Sequence, residues 1–192
     1  SNRGQFALAA RHRCPFTQII AFEPLSDPAR IFLNVFKGDS KVTLHHSAIG
    51  TLAGDAVIHI SARDDSSSLL PIGNMQETLF PGTNEVCTEL VHVGRLKDFI
   101  KPADILDPAM LKIDVQGFEF EALRGCKELL HLFSYVYVEC SFIELYEGQS
   151  LAHQVIDWLQ EREFKLDGVY NTYYDKAGLA VQADFLFKKQ AK

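Results

Sequence analysis

A mixed α/β fold, with a mostly parallel sheet carrying helices on both faces, is the class this sequence predicts. Strand-like and helix-like stretches alternate along the chain, most of the strand-like ones are continuous apolar runs, and 192 residues suit one domain with one core. At this length folding buries on the order of 70% of the unfolded surface, so the core needs neither disulfides nor a structural metal. A content of 47% hydrophobic and 23% charged residues excludes intrinsic disorder and fibrous repeats.

Phe6, Ala9 and Ala10 share one face of a helix that opens the chain after Gly4, with no strand ahead of it. Ile19-Ile20-Ala21-Phe22 reads as a short buried strand. In the next helix Asp27 is the expected cap, Pro28 takes the first turn and Gly38 stops it, with Ala29, Phe32, Leu33 and Phe36 as the buried stripe. Residues 42–46 and 57–60 read as strands. Over 61–84 a serine triplet, two Pro and two Gly break every period, which makes the stretch either a functional loop or a disordered excursion. Alternation resumes with a strand at 110–114, a helix over 118–130 and a strand at 135–138. Ser150 is placed to cap a helix carrying Ala152, Val155, Ile156 and Leu159, in which Trp158 reads as core. Two strands follow, and the second, at 182–187, closes the sheet before a basic tail.

With 19 Lys+Arg against 25 Asp+Glu the net charge is −6, and no basic run tracks a phosphate backbone, so nucleic acid is not an expected partner. The apolar runs fall far short of the roughly 20 residues a bilayer span needs, so no membrane partner is expected either. Cys14, Cys87, Cys126 and Cys140 are scattered without CxxC pairs, the usage of free thiols in a reducing, cytoplasmic setting.

Ligands of open α/β sheets bind beyond the carboxyl ends of the strands. Three carboxylates map to that edge: Glu23, Asp114 and Glu139 each follow an apolar run. Acids are ordinary in such loops, but one that ends a buried strand must face a solvated cleft or a partner, because burying its charge alone is costly. Glu23 lies 19 residues beyond Gly4, close to the interval of about 20 at which nucleotide-binding folds set an acid on ribose hydroxyls. An adenosine derivative is the ligand this spacing favours. Ser1-Asn2-Arg3-Gly4-Gln5 holds a single glycine, too few for the pyrophosphate cradle of a NAD- or nucleotide-sugar-binding oxidoreductase, whereas S-adenosylmethionine carries no phosphate. A catalytically silent Rossmann-like binding module is the other alternative. In Leu111-Lys112-Ile113-Asp114-Val115-Gln116-Gly117-Phe118-Glu119 the strand passes to a helix through Gly117; Glu119 suits the helix dipole and Asp114 suits a cleft.

That nonapeptide, with Asn2-Arg3-Gly4, Phe22-Glu23-Pro24, Ala48-Ile49-Gly50, Ser67-Ser68-Leu69, Val138-Glu139 and Leu145-Tyr146-Glu147-Gly148-Gln149, resembles the FkbM family of methyltransferases over nearly the whole chain. The resemblance implies a Rossmann-like class I fold and methyl transfer from S-adenosylmethionine to a hydroxyl of a saccharide, glycan or polyketide-type metabolite. By position it places Asn2 and Gly4 near the methionine portion, Glu23 on the ribose, and Ser47, Ala48 and Ile49 beside the adenine. Asp114 faces the reactive end as first candidate base, with His46 or His45 second; Glu139, Tyr146 and Glu147 fall on the acceptor side, and Ser66, Ser67 and Ser68 are placed to hydrogen-bond either the cofactor carboxylate or a sugar-like acceptor, with Ser67 and Ser68 assigned to the acceptor. Mg²⁺ shared by Asp114 and Glu139 is a less favoured addition, since no dense oxygen-ligand cluster accompanies them, and no metal ligand is assigned. A homo-oligomer is compatible with this reading. The family's first strand is expected before Ser1, so residues 1–192 are read as a single methyltransferase domain shortened at its amino end. An apolar slot, a weakened cofactor site or a partner chain is then expected in place of the central strand.

Overall fold

The computed structural model describes residues 1–190. The elements are α1 (Gln5–Arg13), β1 (Ile19–Phe22), α2 (Ser26–Val35), β2 (Val42–His45), β3 (Ala48–Ile49), β4 (Gly54–Ser61), α3 (Asn74–Leu79), β5 (Glu85–Gly94), α4 (Leu96–Phe99), β6 (Met110–Ile113), α5 (Glu119–Gly125), β7 (Tyr135–Ser141), α6 (Ala152–Gln160), β8 (Phe164–Tyr174) and β9 (Ala180–Lys189). The basic tail is absorbed into β9 up to Lys189; Lys192 lies outside the described residues.

The sheet structure is mixed, which corrects the expectation of a mostly parallel sheet. β1 pairs with β2, β3 with β5 and β6 with β7 in parallel, while β4/β5, β7/β9 and β8/β9 are antiparallel. The cause is the connections. β8 and β9 are joined by a tight turn in which Asp175 accepts from Ala177 and Leu179 backbone N–H groups, and so short a link serves only antiparallel neighbours.

Local signals also shift. Leu25, without a side-chain hydrogen bond, precedes α2, and Asp27 pairs with Arg30 at 3.1 Å instead of capping. Of the stripe, Ala29, Phe32 and Phe36 are buried but Leu33 faces solvent. Gln154 reaches back to the Leu151 N–H (2.8 Å) to cap α6, a role expected of Ser150, and Trp158 is half-buried under the Arg162 guanidinium. The helix expected over 118–130 is cut to α5; a side chain at Gly125 would meet the Gly50 carbonyl at 2.4 Å, so the helix end sits directly on the chain after β3.

The largest core lies between β6, β7 and β9 on one side and α5 and α6 on the other, with Val136, Val138, Leu123, Leu159 and Phe187 almost fully buried. A second cluster, Leu96, Ile100, Cys126, Leu129 and Phe133, packs under both Ile20 and Phe22 of β1 and Leu111 of β6. Between those two strands the sheet is interrupted. Among the described residues β1 pairs only with β2 and β6 only with β7, and both strands line one cavity of about 1210 Å³. Ile100, Cys126 and Phe133 line it, and Phe6, Ala7 and Ala10 of α1 also contribute to its wall. No helix among the described residues is long and apolar enough to cross a membrane.

Candidate functional site

The carboxyl ends of β1 and β6 meet at one rim of this cavity. Ser1 N donates to Phe22 O (2.9 Å) and Glu23 Oε2 (3.1 Å). Glu23 is buried; Asn2 N–H donates to Oε2 as well, and Leu25 N–H to Oε1 at 3.0 Å.

Asp114 is the open carboxylate of the rim, with 39% of its side chain exposed in the cavity. Lys112 Nζ and Gln116 Nε2 each donate to it at 2.9 Å. Burial alone pushes its carboxyl up, but Lys112 and Gln116 outweigh that and hold it below the usual carboxylate range. The same Gln116 amide donates to Glu139 Oε2 (3.2 Å), and Gln182 donates to Glu139 Oε1 (3.0 Å). Burial, then the charge on Asp114, raises Glu139 well above the carboxylate range.

The turn that presents these groups follows from Gln116 and Gly117, both left-handed at φ 55° and 93°. A side chain at Gly117 would approach the Tyr146 ring to 2.8 Å, so glycine is required twice over. Glu119 Oε1 accepts from Val115 and Gly117 N–H groups, both 3.1 Å, and burial pushes it up to about 7. Tyr146 is 2% exposed; its hydroxyl lies 3.0 Å from both Ser66 O and Gln116 Oε1, joining the 61–84 stretch to the Asp114 turn.

That stretch is ordered: a 3₁₀ turn at Asp64–Ser66, then α3, with Ser66, Ser68, Gln76 and Thr83 buried. Arg3 pairs with Asp64 at 2.6 Å, tying it to the N-terminal turn.

Of the residues singled out from sequence, Asn2, Glu23, Ser47, Ala48, Ile49, Ser67, Ser68 and Asp114 line one cavity. Glu139 and Tyr146 stand behind Gln116, holding it in place. Gly4, at φ 95°, is packed against Phe32 and Phe36 instead of the cavity. His46 lies in a separate shallow groove with Ser26, Arg30 and Leu33, and His45 is stacked on Phe22 (5.0 Å). Neither histidine reaches the Asp114 rim. Lys112, Gln116, Gln182 and Gln76 were not assigned roles from sequence. Lys112 and Gln116 were readable from their places beside Asp114; Gln182 and Gln76 become visible only through tertiary packing. Among the described residues no group of three or more His, Cys, Asp and Glu side chains is placed to share a metal ion.

Known proteins bear on this geometry. Over 73 residues the chain is 36% identical to the 2-O-methyltransferase NoeI of Sinorhizobium fredii, covering 38% of this chain and 30% of that protein. Its fold is similar to the crystal structure of methyltransferase FkbM from Methylobacillus flagellatus KT, with a TM-score of 0.59 at 13% identity over 96% of this chain and 41% of that one. The matches thus cover less than half the length of either relative. The methyltransferase FkbM domain matches residues 1–166, and on that match the chain belongs to the FkbM methyltransferase family.

Proposed function

We propose that the chain carries a Rossmann-like, class I site for S-adenosylmethionine-dependent O-methylation of a saccharide, glycan or polyketide-type hydroxyl. The observation that carries this reading is an ionised, cavity-facing carboxylate, Asp114, set across the slot from Glu23 at the end of β1. The residues fit an adenosine cofactor. Glu23 Oε1 has one N–H partner, leaving a lone pair for a ribose hydroxyl, and residues 47–49 supply a wall for the base. When bound, S-adenosylmethionine supplies an electrophilic methyl group on a sulfonium.

Asp114 takes or shares the proton of the attacking hydroxyl, Lys112 keeps it ionised, and Gln116, braced by Glu139 and Tyr146, fixes its direction. The similarity to a protein named a 2-O-methyltransferase supports oxygen as the acceptor atom. Four free cysteines, two of them exposed, support a reducing compartment such as the cytoplasm. Glu23→Ala is expected to weaken S-adenosylhomocysteine binding by about 1–3 kcal/mol, the scale of a lost charge-assisted hydrogen bond. Calorimetric titration of both forms checks this; unchanged affinity removes Glu23 from the ribose site.

A further inference from the structure

α3 has one buried side chain, and it is polar: Gln76, 3% exposed. Its Oε1 is the one buried side-chain nitrogen or oxygen without a hydrogen-bond partner among the described residues. Its neighbours are satisfied. Thr83 Oγ1 donates to Phe80 O at 2.8 Å, and the Ser66 carbonyl receives the Tyr146 hydroxyl. A buried amide oxygen left unpaired is costly, and Gln76 lines the cavity, so a donor entering there supplies the missing partner once the side chain turns toward it.

Gln76 lines the same cavity as Asp114, and so do Ser66, Ser68, Phe80 and Thr83. The residues assigned to the cofactor, Asn2, Glu23 and 47–49, belong to other segments. The Tyr146 hydroxyl lies within reach of both Ser66 O and Gln116 Oε1, to either of which it can donate, and Gln116 donates to Asp114. We propose that Gln76 is the specificity anchor of the acceptor: its amide oxygen accepts a hydrogen bond from a pyranoside hydroxyl other than the one methylated, while the Phe80 ring offers the sugar an apolar face. This rests on the saccharide reading above and names the contact that selects the acceptor.

The test uses the full chain with S-adenosylhomocysteine bound and methyl α-D-glucopyranoside and methyl α-D-galactopyranoside as probes in saturation-transfer NMR. The native chain binds at least one probe, and Gln76→Leu weakens that binding by about tenfold or more, while S-adenosylhomocysteine affinity stays within about twofold. Gln76→Leu also melts no lower than the native chain, since an orphaned amide is removed; Gln76→Met is the shape-conserving second variant. Native-like pyranoside binding by both variants overturns the proposal, as does a matching loss of S-adenosylhomocysteine affinity. A native chain that takes S-adenosylhomocysteine but neither pyranoside overturns the anchor alone. One that takes no S-adenosylhomocysteine overturns the methyltransferase reading beneath it.

Discussion

Asp114→Asn is expected to lower methyl transfer by on the order of 10²–10⁴-fold while leaving S-adenosylhomocysteine affinity within about twofold. Asparagine keeps the shape and an oxygen for Lys112 and Gln116, which donate to Asp114 at 2.9 Å, but it cannot take a proton. The loss therefore falls on turnover. Because Asp114 is held below the usual carboxylate range, the proposed base is expected to stay ionised in mildly acidic solution. Single-turnover rates with labelled S-adenosylmethionine, beside calorimetric affinities, separate the two quantities. Equal losses in both would assign Asp114 to the cofactor instead of the acceptor.

The second large effect concerns stability. Glu119 is lifted by burial from 4.5 to about 7, so between those values the folded chain holds a proton that the unfolded chain has released. Stability from this group therefore falls as pH rises through that window, and the full penalty, about 3 kcal/mol, stands above it. Glu119→Gln keeps an oxygen for the Val115 and Gly117 N–H groups and carries no charge. It is expected to match the native chain near pH 4 and to exceed it by up to about 3 kcal/mol near pH 8, read by urea unfolding. A variant that tracks the native chain at both pH values would clear Glu119 of the effect. Glu119→Ala, which removes the acceptor as well, is expected to destabilise at both.

Where apolar periodicity met one buried face, the elements were legible: β1, β2, β6, β7 and α6 lie close to their expected places. β5 was not, because Glu85, Thr88, Glu89 and His92 make an exposed ribbon whose strand character comes from pairing with β4. The mixed sheet was hidden for a related reason: pairing direction is decided by the connections between strands more than by the strands themselves. Carboxylates at strand ends were readable by position, and Glu23 and Asp114 do line the cavity. His46 shows the limit of such placement, since it falls one residue past β2 and on the α2 side of that strand. Gln76 carried no signal at all, because nothing local marks a glutamine that tertiary packing will bury without a partner.

Parallel calorimetric titrations of the full chain with S-adenosylhomocysteine and with NAD bear most directly on the cavity between β1 and β6 as an S-adenosylmethionine site. Saturable binding of S-adenosylhomocysteine, with none of NAD, is the expected result; binding of NAD alone, or of neither, would contradict it.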